Sequence, residues 1–190
     1  QATVSIIWAK TGAVDDAKSI RGFIVPASTK GYTAKDQKGK LSLRASVTSE
    51  LVLDEVRLPG DAVLPGVTGM KGPLSCLTEA RFGIVWGSMG AARSCFGSAL
   101  EYAKTRVQWG KPIGGSQLTQ RKLADMVLEL NKGTLLALHL GRMKDEGRLL
   151  PQHVSMGKLN NVREALEIAR EARSILGASG ITLEYPVIRH

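Results

Sequence analysis

The chain has 190 residues, 43% of them hydrophobic and 23% charged, with 26 basic against 17 acidic side chains for a net charge of +9. That length can bury the core of one large domain or two small ones, and the composition is that of a soluble globular protein. No apolar run approaches the roughly 18 residues a membrane span needs, and the apolar stretch in QATVSIIWAK is too short for a signal peptide. Cys76 and Cys95 stand 19 apart and form no CxxC pair or disulfide framework, so a reducing compartment is expected and Cys95 reads as a small core residue. The excess charge lies late. Residues 1–65 carry nine basic and seven acidic side chains, and residues 66–190 carry seventeen and ten. Basic and acidic residues alternate there (Arg163-Glu164, Glu167, Arg170-Glu171), the pattern of a solvated helix face. No Lys/Arg block tracks a phosphate backbone, so neither nucleic acid nor a membrane span is expected.

Residues 1–65 read as β. TVSIIWA, SIRGFIVPA and TSELVLDEVRL are short Val/Ile-rich runs broken by Gly, Asp, Lys and Ser. Alternation of Leu51, Leu53 and Val56 predicts a strand with one wet face. Pro59-Gly60, Pro65-Gly66 and Gly69 mark a crossing, with residues 66–73 as linker. From Leu74 the period turns helical. A helix is predicted over 74–108, with Leu77, Ile84, Val85, Met89, Ala92, Phe96 and Leu100 as its stripe. Gly83, Gly87, Gly90 and Gly97 cost it about 1 kcal/mol each relative to alanine, so a close backbone or ligand is expected beside them. A second helix spans 117–147, with Leu118, Leu123, Met126, Val127, Leu130, Leu135 and Leu138 facing inward. A third spans 151–176, opened by Pro151 and closed by Gly177. The fold class is therefore α+β: a partial antiparallel β domain (1–65), then a long-helix up-and-down bundle (74–190). Three helices leave one side of a bundle open, and both ends of the chain read as unfinished, so a piece of a larger polypeptide is expected.

The segment EYAKTRVQWGKPIGGSQ, 101–117, carries the most chemistry. It sets the Arg106 guanidinium, the Trp109 ring and the Gln117 carboxamide around one helix end. Arg binds phosphate oxygens bidentately and aromatics stack on flat rings, so the trio suits a ligand with both. On spacing alone an ordinary helix corner with a solvated Arg is the favoured reading, since arginines at helix ends commonly serve the dipole.

Six ordered motifs spanning nearly the whole chain carry a family resemblance: KLSLRAS (40–46), ARFGIVWG (80–87), TRVQWGKPI (105–113), QLTQRKLADM (117–126), LGRMKDEG (140–147) and ILGASGITLEYPVIRH (175–190). Together they resemble the acyl-CoA dehydrogenase family, and within it are most similar to the glutaryl-CoA dehydrogenases. The resemblance implies the second half of a middle β domain followed by three helices of a C-terminal four-helix domain, the final helix missing. It implies FAD as cofactor, an acyl-CoA substrate (glutaryl-CoA, decarboxylated to crotonyl-CoA) and an electron-transferring flavoprotein as partner. A homo-oligomer, dimer or tetramer, would share its FAD sites. The sequence itself leaves the compartment open, and the simpler expectation is the bacterial cytoplasm, or the mitochondrial matrix in a eukaryote. An α-C–H beside a thioester is weakly acidic, so such a site needs a desolvated carboxylate base and donors to the thioester oxygen.

Residue by residue, the resemblance places Arg106 on the FAD pyrophosphate of the neighbouring subunit and Gln117 on the same cofactor. Trp109 stands where a Phe is usual. Ser174, Ile175, Leu176, Gly177 and Ala178 match the segment against the adenosine portion, with Ala178 in place of a customary glycine. Leu74, Ser75, Cys76, Leu77, Thr78, Glu79, Ala80 and Arg81 match the acyl-CoA pocket lining, with Arg81 beside the catalytic centre. A helix-end salt bridge from Arg81 to Glu79 is the structural alternative. The catalytic base implied is a glutamate beyond His190; Ala80 occupies the position some relatives use, and Glu79 is one residue, about 100°, off register. No catalytic residue is therefore expected within these 190. His139, His153 and His190 have no metal-ligand spacing, and no metal is expected. Lys38, Lys40 and Arg44 form a small basic cluster near a turn. An acyl-CoA oxidase on the same scaffold and a non-catalytic basic interaction module are the rival readings.

Overall fold

The β-branched runs at the start of the chain pair locally. In the computed structural model, β1 (Val4–Lys10) and β2 (Ile20–Pro26) form an antiparallel pair in which Ile6 faces Ile24 and Trp8 faces Gly22. Residues 2–190 are described. β4 (Ser49–Leu53) pairs antiparallel with β3 (Tyr32–Asp36), Ala34 opposite Leu51. The sequence YTAKD has no apolar run of its own, so β3 was not foreseen; the ladder with β4 makes it a strand. The expected dry face of β4 is absent, because Leu51, Val52 and Leu53 are all exposed on a two-stranded sheet. A single bridge from Phe23 to Val63 ties the following turn to β2.

Three long helices follow: α1 (Lys71–Thr105), α2 (Gln117–Asp145) and α3 (Pro151–Leu176). α1 begins three residues before its predicted start because Pro73, lacking an N–H, fits a first turn. It ends at Thr105, not 108, and Arg106 lies outside it. α2 stops at Asp145, two residues early, before Gly147 at φ +68°. α3 ends as expected at Gly177, whose positive φ of +57° any side chain would strain. Glu79 of α1 pairs with Lys144 near the end of α2, and Lys122 of α2 pairs with Glu171 near the end of α3. The helices therefore run up, down and up. By its internal packing the chain divides into two compact units, Gln1–Cys76 and Leu77–His190.

The core of the second unit holds Met89, Ala92, Cys95 and Ala99 of α1, Met126 and Leu130 of α2, and Ile168, Ala172 and Leu176 of α3. Val187, in a short 3-10 turn at Pro186–Arg189, closes that core, and Tyr185 sits edge-on to Tyr102 at 5.5 Å. A second cluster joins Val85, Ala137 and Leu140. The predicted stripes are only partly used: two of the seven α1 residues and four of the seven α2 residues, Val127 among them, are exposed. Leu77, Ile84, Leu118, Leu135 and Leu138 are exposed, as are Leu128 of α2 and Leu159 and Leu166 of α3. Among the described residues no helix is long and apolar enough to cross a membrane.

Close approach occurs at other glycines than expected. Nothing lies within 4 Å of where a Cβ would stand on Gly83, Gly87, Gly90 or Gly97. A Cβ on Gly133 would run into Met89 Sδ, and one on Gly157 into Leu140 Cδ1. Those two are the points where the helices press together.

Candidate functional site

The helix α1 unwinds at Arg106, whose N–H still donates to Tyr102 O at 2.8 Å while its carbonyl accepts from Ile113 N at 2.9 Å. Between those bonds a small hairpin forms: β5 (Val107–Gln108) pairs with β6 (Lys111–Pro112). Its two turn residues, Trp109 and Gly110, both have positive φ, +48° and +78°. That is the backbone of a primed two-residue turn, natural for Gly and strained for an aromatic residue. Trp109 is nonetheless 93% exposed. A large apolar ring is thus held at the surface by a strained backbone, at the edge of a cleft.

Beside the ring a cleft of about 230 Å³ opens between the hairpin, the start of α2 and the end of α3. Trp109, Lys111, Ile113, Lys122, Ser174 and Ile175 line it. Trp109, Ser174 and Ile175, predicted from scattered segments, thus meet in one place. Gln117, the first residue of α2, stands between two lining residues, Ser116 and Leu118, without lining the cleft itself. Arg106 is exposed, outside the lining and without an ion pair among the described residues. Leu176 is buried in the core, and Gly177 and Ala178 are exposed in the 3-10 turn that follows it. Lys111 and Lys122 were not singled out by sequence reasoning. Their signal is weak: Lys111 follows the Trp-Gly turn, and Lys122 lies one turn beyond Leu118 on the same face of α2.

The cleft is smaller than the 300–1,000 Å³ typical of a complete small-molecule site, so it accommodates only part of a dinucleotide. Its chemistry fits that part. An exposed ring, the Lys111 ammonium, a hydroxyl and a free guanidinium nearby are groups that stack on a flat ring system and bind phosphate oxygens.

Leu74–Arg81 form the first turns of α1 and are mostly exposed, with Thr78 and Arg81 half-buried. Arg81 does not pair with Glu79. Its Nη1 donates to Ser155 Oγ of α3 at 3.3 Å, while Glu79 is held by Lys144, whose ammonium also lies 4.6 Å from the Phe82 ring centroid. A carboxylate committed to a lysine is poorly placed to take a proton, so Glu79 is not supported as a base. Cys95 is wholly buried, and burial pushes its thiol pKa up, away from nucleophilic character. Cys76 is exposed.

A larger cleft, about 460 Å³, runs between α2 and α3. Asp125, Glu129, Glu164, Glu167 and Glu171 rim it against Arg121 and Lys122 alone. Those carboxylates repel phosphates, so size does not make it the better nucleotide site. The Lys38, Lys40 and Arg44 cluster lines a third cleft with Asp36 and Thr48, where Lys40 Nζ is already donated to Ser46 O and Thr48 Oγ1. Eight ion pairs occupy basic residues of the second unit, which explains much of its charge as paired helix surface.

Comparison with known proteins supplies the lineage. Residues 68–190 match the family described as acyl-CoA dehydrogenase, C-terminal domain. The chain is 33% identical over 192 residues to the mitochondrial short-chain specific acyl-CoA dehydrogenase of Homo sapiens, covering 100% of this chain and 46% of that protein. It is 35% identical over 193 residues to the glutaryl-CoA dehydrogenase of Desulfococcus multivorans, covering 100% and 49%. Among solved structures, a glutaryl-CoA dehydrogenase from Mycobacterium smegmatis matches with TM-score 0.94 and 65% identity, over 100% of this chain and 48% of that one. Another, from the same organism in complex with FADH2, matches with TM-score 0.94 and 57% identity, over the same shares. The chain thus spans about half the length of the relatives it matches. By its matched domain, its helical architecture and these relatives, the chain belongs to the acyl-CoA dehydrogenase family.

Proposed function

We propose that this chain is the flavin-facing and substrate-facing half of an FAD-dependent acyl-CoA dehydrogenase acting on glutaryl-CoA, with decarboxylation to crotonyl-CoA. The observation that carries the reading is Trp109: exposed, held at positive φ, and seated over the cleft that also receives Ser174 and Ile175. Similarity at 65% identity to a glutaryl-CoA dehydrogenase supports the choice of substrate over the short-chain relatives. In this reading Trp109 stacks on the cofactor, and Arg106 neutralises its pyrophosphate. Gln117 and the Ser174–Ala178 segment take the nucleotide end. FAD, when bound, accepts the hydride that leaves the β-carbon.

The first turns of α1 line the acyl-CoA. Arg81, held by Ser155, sets positive charge beside the reacting thioester. No carboxylate in Leu74–Arg81 is free to act as base, so the proton acceptor comes from outside these residues. The cleft's small volume supports a cofactor gripped by two copies of the chain, with electrons passing on to an electron-transferring flavoprotein. The deciding experiment adds glutaryl-CoA anaerobically to the full-length protein. Bleaching of the flavin and release of crotonyl-CoA and CO2 are expected. A full-length protein that purifies without flavin, or reacts equally with butyryl-CoA and releases no CO2, overturns the assignment. The isolated 190-residue polypeptide is expected to show no turnover.

A further inference from the structure

We propose that Lys122 is a positioning residue for the nucleotide end of the cleft, acting through the Ser174 hydroxyl. The inference rests on the flavin reading and adds a residue to it. Lys122 Nζ lies 2.8 Å from Glu171 Oε2 and donates to Ser174 Oγ at 2.8 Å. Glu171 and Ser174 belong to the last turns of α3, whereas Lys122 belongs to the second turn of α2. One ammonium therefore joins two walls of the cleft.

Two features distinguish this contact from an ordinary surface ion pair. Glu171 Oε2 is closed off from solvent and has no hydrogen-bond partner in line, so the ammonium at 2.8 Å is what compensates its charge. Glu171 in return is the countercharge beside the Lys122 ammonium, although its side chain as a whole is 43% exposed. The second feature concerns the hydroxyl. A serine oxygen can accept and donate at once. Because Lys122 has only donors, Ser174 must accept from it, and the Ser174 O–H is left to donate elsewhere. Ser174 is exposed and lines the cleft, so its free hydrogen is available to an acceptor there. A phosphate or ribose oxygen of a dinucleotide is such an acceptor. With its side chain 37% exposed, Lys122 contributes little to stability through the pair itself. Its consequence is orientation.

The test measures FAD affinity in the full-length protein by flavin fluorescence, across Lys122→Met, Ser174→Ala and the double variant, with Trp109→Ala alongside. Lys122→Met is expected to weaken FAD about tenfold, the loss of one oriented charge-assisted contact. In the Ser174→Ala background the same change is expected to have almost no further effect, because both act on one hydroxyl. Lys122→Arg, which keeps a donor, is expected to recover most of the affinity. Wild-type affinity in Lys122→Met, or losses that simply add in the double variant, overturn the proposal. Should Lys122→Met not fold, Lys122→Gln enters the same cycle in its place. If Trp109→Ala also binds FAD like wild type, the flavin reading itself has failed.

Discussion

Asn161, fully buried on α3, donates its amide to the carbonyl of Val85 on α1 at 2.9 Å. The same nitrogen donates to Gly133 O of α2 at 3.0 Å, and Asn161 Oδ1 accepts from Asn160 at 3.1 Å. One side chain thus fixes the height of three helices relative to one another. A satisfied buried amide specifies register where leucines alone would permit sliding. Asn161→Ala removes both donations and leaves a void; a loss of about 2–3 kcal/mol is expected in denaturant unfolding. Asn161→Asp is expected to be worse, since a carboxylate can only accept and would face two carbonyl oxygens. An Asn161→Asp variant as stable as wild type would show that the clasp is dispensable.

Glycine-to-alanine changes within helices should split into two classes. Alanine normally stabilises a helix interior by about 1 kcal/mol relative to glycine. Gly157→Ala should reverse that sign, because the added methyl meets the buried Leu140 side chain at a tight helix contact, with an expected cost of about 1–3 kcal/mol. Gly87→Ala and Gly90→Ala should each stabilise the isolated 190-residue chain by up to about 1 kcal/mol, since nothing lies within 4 Å. Thermal melts of the three variants decide the matter. A stabilising Gly157→Ala would show that the helices pack less tightly there.

Trp109 separates function from stability. The residue is 93% exposed and its φ is +48°, so Trp109→Gly removes strain while giving up almost no packing. The melting temperature is expected to hold or rise slightly, while flavin content in the full-length protein falls at least tenfold. Loss of stability without loss of flavin would assign Trp109 to packing.

The buried thiol of Cys95 gives a pH signature. Burial raises its pKa above the ordinary thiol value of 9.0. Below that value both folded and unfolded thiols are protonated and stability is unaffected. As pH rises from there toward the folded pKa, the unfolded chain loses its proton first, so stability falls. Urea unfolding across that range should show this decline in wild type and less of it in Cys95→Ala. In the folded protein, a maleimide reagent should label exposed Cys76 well before Cys95.

The three helices were legible in the chain because their causes are local. Apolar spacing of three and four, Pro151 at an opening turn and Gly177 at a closing one act within a few residues of themselves. Of the site residues expected in the 105–113, 117–126 and 175–190 motifs, Trp109 and Ile175 border one cleft, whereas Gln117 and Leu176 do not line it. Tertiary structure decided everything that depends on distant partners. YTAKD is a strand only because Ser49–Leu53 lies beside it. Trp109 sits in a hairpin, and not on a helix end, because Val107 and Gln108 found Pro112 and Lys111. Periodicity marked Leu135 and Met126 alike as inward, yet only Met126 is buried, since burial depends on which face a neighbouring helix covers. Asn161 carried no apolar signal and became the centre of the bundle, because hydrogen-bonding partners 76 and 28 residues away met it there.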